Sequence, residues 1–116
     1  ERYPVRTRKL KRSAESWWLL LRRNAQGAFW LERRPATGIW AGLYCPPVLA
    51  QGPAVAGAQH LEPFTHVLTH RDLHLHPVIV DAEGAGEGWY GPAQWPELGL
   101  PAPIRKLLER MGQSLF

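Results

Sequence analysis

Five apolar residues in a row, Trp17-Trp18-Leu19-Leu20-Leu21, constrain this chain more than any other feature. A run without polar interruption has no solvent face, so it predicts a strand covered on both sides at the centre of a packed sheet. Asn24-Ala25-Gln26-Gly27 then reads as a turn in which Gly27 is free to adopt positive φ. Residues 28–34 return as the second leg of a hairpin through Phe29, Trp30 and Leu31. At 116 residues, with 45% apolar content and six tryptophans, the chain has material for one modest core rather than for disorder.

Pro35 and Gly38 break the returning strand, and Gly42 between Trp40 and Tyr44 predicts close backbone packing under large rings. Residues 38–61 contain no Asp, Glu, Lys or Arg. Within them, an Ala-rich piece at 54–60 predicts a short helix, weakened by Gly57. Residues 64–81 read as two strands bent around a polar tip at Thr69, His70, Arg71 and Asp72, the second strand apolar through Leu73, Leu75, Val78, Ile79 and Val80. A Gly- and Glu-rich loop, a short strand at Trp89-Tyr90 and a loop at 92–99 follow. Pro101 and Pro103 open a helix whose Ile104, Leu107, Leu108 and Met111 form one apolar stripe, with Gly112 as its expected end. The sum is an α/β (α+β) chain: a mixed sheet packed against helices.

Charge divides the chain unevenly. Residues 1–12 carry six cations against Glu1, a net +5, while the remaining 104 residues carry eight basic and nine acidic groups, a net −1. The first segment is either a phosphate-attracting tail, through Arg8, Lys9, Lys11 and Arg12, or a solvated connector. The chain begins at Glu1 and has no leader-like apolar stretch, so it is expected to be a piece of a longer protein, with 1–12 as linker and 13–116 as the domain. No run of eighteen apolar residues predicts a membrane span. The lone Cys45 excludes an internal disulfide, fits a reducing cytoplasm and cannot by itself hold an iron–sulfur cluster.

Arg33-Arg34-Pro35, then Gly38-Ile39-Trp40-Ala41-Gly42-Leu43-Tyr44, resembles the start of Nudix-type domains. With Phe64, His66, Leu68, Thr69 and His70, and with the closing run from Gly99 to Leu108, the ordered set resembles the C-terminal domain of the MutY family of A/G-specific adenine DNA glycosylases. What is missing is the carboxylate-rich box by which active Nudix hydrolases hold magnesium, since nothing acidic follows Gly42 until Glu62. The resemblance therefore implies a degenerate Nudix fold with no catalytic site or cofactor of its own. It implies a partner in double-stranded DNA bearing 8-oxoguanine opposite adenine, and an upstream catalytic domain carrying an iron–sulfur cluster.

Oxidation changes guanine's five-membered ring from an acceptor into an N–H donor beside a new carbonyl. A hydroxyl both donates and accepts, so it suits that altered edge better than a fixed cation, which undamaged guanine also attracts. Thr69 stands where the family has a serine; Leu68 stands where phenylalanine is common; His70 matches the family histidine. The resemblance thus places lesion and DNA contacts at Leu68, Thr69, His70 and Arg71. Taken alone, Thr69 could equally cap turn N–H groups. His66, His70, His74 and His76 share one parity, yet a turn between two strands separates them, which argues against a metal site. Two other readings stay open: an atypical nucleotide diphosphate hydrolase, and a protein-interaction module using the charge-free 38–61 segment.

Overall fold

The computed structural model describes residues 13–113, with side chains through Met111; the basic segment with Arg8, Lys9, Lys11 and Arg12 lies outside the described residues. Two eleven-residue strands, β1 (Ser13–Arg23) and β8 (Arg71–Asp81), run parallel down the middle, in register from Ser13 opposite Arg71 to Arg23 opposite Asp81. Around them a seven-stranded sheet forms with the order β6-β8-β1-β2-β9, where β6 is Gln59–His60, β2 is Phe29–Trp30 and β9 is Trp89–Tyr90. β5 (Val48–Leu49) also pairs with β1, and β7 (Phe64–Val67) with β8. A separate ribbon joins β3 (Glu32–Arg33) to β4 (Tyr44–Cys45).

The apolar run does become the central strand, but its two faces differ. Trp17, Leu19 and Leu21 are buried, whereas Trp18 and Leu20 are half-buried. The first set faces α1 (Ala102–Gln113), whose Ile104, Leu107, Leu108 and Met111 share one buried cluster with them. On the opposite face no helix among the described residues covers the sheet. Trp18 is instead sheltered by the His76 ring stacked on it at 4.3 Å and by Gly52, where an added Cβ would sit 3.1 Å from the indole nitrogen. The expected α+β architecture stands as a mixed sheet with one α-helix among the described residues, and the short central helix expected at 54–60 does not form. There Ala58 N–H bonds to Val55 C=O in a turn, Gly57 takes φ +78, and Gln59–His60 joins the sheet. A segment with no apolar stripe and a left-handed glycine has nothing to hold it helical.

Four smaller expectations also change. The returning leg of the first hairpin is split at Leu31, with β2 entering the main sheet and β3 the ribbon. Gly42 has open space around its Cβ position and takes φ +74, so it serves a left-handed turn rather than close packing. The helix runs through Gly112 to Gln113. Trp95, placed by sequence in a loop, is buried in a 3-10 turn (Trp95–Glu97) against Phe29, with its Nε1–H donated to the Tyr90 carbonyl at 2.9 Å.

Asn24 is the buried polar residue that fastens the first turn. Its Oδ1 accepts from the N–H groups of Gln26 and Ala28 at 3.0 and 2.9 Å, and its Nδ2 donates to Gly84 C=O at 2.8 Å, tying the 24–27 turn to the distant 81–88 loop. Asn24→Ala would strand the buried Ala28 N–H, and is expected to lower stability by about 1–3 kcal/mol. Urea unfolding would register this as a lower midpoint at unchanged slope; an unmoved midpoint would contradict it.

Candidate nucleic-acid interface

The β7–β8 hairpin aligns Phe64 with Leu75 and Val67 with Asp72. Leu68 N–H donates to Arg71 C=O at 2.8 Å, which leaves Thr69 and His70 as the outermost pair. Both are exposed and Leu68 is half-buried. Neither takes positive φ, so this turn is built without glycine and gives no glycine signal in the sequence. The tip is shorter than expected, because Arg71 and Asp72 already belong to β8. It is also braced: Ser13 at the start of β1 directs its N–H and Oγ at the His70 carbonyl, each at 3.4 Å. Arg71 is engaged from the same strand through a 2.9 Å ion pair with Glu15. The four expected site residues thus stand together at one end of the molecule.

The histidines do not. Register places Phe64 and His66 opposite Leu75 and Leu73 on the helix-covered side, and Thr65 opposite His74 on the other. His66 lies 5.7 Å from the Trp40 ring, Thr65 Oγ1 and His74 Nδ1 share a 3.0 Å hydrogen bond, and His76 stacks on Trp18. Alternation across a strand, together with the turn, sends these rings to different partners. Among the described residues no three His, Cys, Asp or Glu side chains are grouped to hold a metal. The described residues therefore do not fit the divalent cation of active Nudix hydrolases, which needs several carboxylate oxygens together.

The Arg-Arg-Pro element and the glycine-rich run that follows it bond to each other. Arg34 N–H donates to Leu43 C=O at 2.7 Å, Gly42 N–H to Pro35 C=O at 2.9 Å, and Arg33 Nε–H to Gly42 C=O at 3.2 Å. The Arg34 guanidinium lies over Trp17 at 4.8 Å. Trp40 was the residue sequence reasoning missed. It takes φ 57, rare for a bulky side chain, and its ring sits between Trp17 at 5.6 Å and His66 at 5.7 Å. The 35–43 loop is thereby locked against the base of the hairpin.

Cys45 packs in the core, and burial pushes its thiol up to about 12 despite the nearby Arg34 charge. A raised folded value means stability is intact below pH ~9, near the free thiol's range, and is lost as pH climbs from there toward 12. Cys45→Ala is expected to flatten that alkaline decline in melting temperature; parallel wild-type and variant curves would contradict it.

A mixed sheet with one helix among the described residues and a glycine-rich loop in the second quarter make a Nudix-like α+β fold. The chain belongs to the NUDIX domain family, whose family match spans residues 17–110. It is similar to the adenine DNA glycosylase of Buchnera aphidicola from Acyrthosiphon pisum, with 23% identity across 100% of the chain and 38% of that protein. The Schizaphis graminum strain's adenine DNA glycosylase is 25% identical over 93% of the chain and 37% of its own length. The chain thus spans well under half of these relatives. Its fold matches the MutT protein of Methanosarcina mazei (TM-score 0.68, 16% identity, 90% of this chain and 96% of that one). It also matches the C-terminal domain of mouse MUTYH, solved in complex with human PCNA (TM-score 0.58, 18% identity, 90% and 89% coverage). The resemblance to MutY C-terminal domains stands on these matches. Among the described residues no helix is long and apolar enough to cross a membrane.

Proposed function

We propose that the chain is the lesion-reading domain of an adenine DNA glycosylase. In this reading the Leu68-Thr69-His70 tip, with Arg71, contacts 8-oxoguanine and its strand in duplex DNA. Removal of the opposing adenine falls to a catalytic domain elsewhere in the parent protein, where an iron–sulfur cluster also belongs, and the work takes place in a bacterial cytoplasm. The observation that carries the reading is the position of Thr69, exposed at the end of a braced hairpin, in a chain aligned throughout its length with an adenine DNA glycosylase.

The chemistry follows from the hydroxyl. Thr69 Oγ1 donates to the new carbonyl or accepts from the new N–H of the oxidised base, while undamaged guanine offers only an acceptor at that edge. Bracing by Ser13 lowers the ordering cost of contact, since a fixed tip loses little freedom on binding. Arg71 contributes a phosphate contact beside its bond to Glu15. The segment holding Arg8, Lys9, Lys11 and Arg12 adds attraction that is salt-sensitive and indifferent to the lesion. The test is Thr69→Ala in the glycosylase that carries this domain. Preference for adenine opposite 8-oxoguanine over adenine opposite guanine is expected to fall; unchanged discrimination removes the role given to Thr69.

A further inference from the structure

Beside the hairpin, on the helix-covered side of the sheet, an open groove of about 400 Å³ separates β7 from α1. Phe64, Pro103 and Leu107 supply its apolar lining, and His66, Lys106 and Arg110 its polar one. Past Phe64 it leads into a second hollow, of about 330 Å³, where Glu62 is the acidic residue. Lys106 and Arg110 are both exposed, stand one helical turn apart on the same side of α1, and have no ion-pair partner among the described residues. This is a local concentration of positive charge in a body, residues 13–116, whose net charge is −1. The helix dipole favours Arg110 in the last turn but does not account for Lys106 in the same groove.

We propose that this groove receives the phosphodiester backbone of duplex DNA, as a second contact independent of the lesion. The proposal rests on the DNA-binding reading above. Two unpaired cations and an imidazole suit successive phosphates, and the apolar lining suits the sugars between them. Distance favours DNA over an acidic peptide of the same charge. His66 precedes Thr69 by three residues on one hairpin, about 10 Å at ~3.3 Å per residue, so a strand held at the tip reaches the groove within a few nucleotides.

The test is equilibrium binding by the glycosylase carrying this domain, wild type against the Lys106→Gln/Arg110→Gln double variant. One duplex contains 8-oxoguanine opposite adenine and the other is undamaged, and salt is varied between about 50 and 200 mM. The double variant is expected to lose affinity for both duplexes equally, on the order of 3–10-fold, and the slope of log affinity against log salt is expected to shrink by about 1–2. The lesion preference should stay as in wild type. Wild-type affinity and slope in the double variant would overturn the groove contact. So would a labelled poly-glutamate peptide that binds wild type, fails with the double variant and leaves DNA binding unaffected, since the occupant would then be an acidic peptide. If the slope shrinks while Thr69→Ala leaves discrimination intact, the lesion reading fails and the groove stands.

Discussion

Leu108→Ala is expected to lower the unfolding free energy by about 2–5 kcal/mol, the range for removing a large aliphatic side chain from a closed core. Leu108 has no exposed surface, and Ile104 and Leu107 beside it are buried equally well. All three reach the cluster that contains Leu19, Leu21, Leu73 and Leu75 from the two central strands. Because α1 is the one helix over this sheet among the described residues, nothing else can close over the cavity that a truncation would leave. A domain of this size has ~5–15 kcal/mol in total, so the loss of these three carbons removes a large fraction of the margin. The melting temperature should fall by roughly 4–8 °C per kcal/mol. Glu109→Ala, one residue on and exposed, should change stability by about 0.5 kcal/mol or less. Equal shifts for the two variants would show that α1 is not the lid described.

The central features of this fold were legible in the sequence because they rest on period and composition. The α1 stripe, the apolar run of β1 and the apolar half of β8 each carry a pattern that few other arrangements satisfy. Their pairing was not legible, since β1 and β8 lie side by side and parallel across some fifty intervening residues, and no local signal encodes that. Segments 35–61 and 82–99 were read least well. Their order comes from tertiary contacts such as the Asn24 bond to Gly84, the Trp95 anchor on Phe29 and the Trp40 ring between Trp17 and His66. The tip was legible as a polar interruption between apolar strands, its role came from resemblance, and it was drawn too long because the polar pair Arg71-Asp72 opens a strand yet looks like turn. The histidine cluster showed the opposite failure: shared parity in sequence became separate faces once the hairpin folded.

The second large effect concerns Thr69. If its hydroxyl reads the oxidised edge, then shape and polarity at this position separate cleanly. Thr69→Val keeps the branched outline and removes the donor and acceptor; Thr69→Ser keeps both and removes a methyl group. A base-edge hydrogen bond is worth about 1–3 kcal/mol of discrimination, so the valine variant should lose preference by on the order of tenfold and the serine variant very little. Neither is expected to unfold the domain, because Thr69 is exposed at the hairpin tip and is not part of the buried core. Melting temperatures equal to wild type would establish that before any rate is compared. With melting temperatures unchanged, a loss with valine but not serine would assign the effect to the hydroxyl rather than to the methyl group or the outline of the side chain.

The most direct measurement is therefore the ratio of excision rates for adenine opposite 8-oxoguanine and adenine opposite guanine, taken under single-turnover conditions for wild type, Thr69→Val and Thr69→Ser in the glycosylase that carries this domain. A ratio that falls about tenfold for valine and holds for serine is the predicted result. A valine variant that discriminates as well as wild type would contradict the account at its centre.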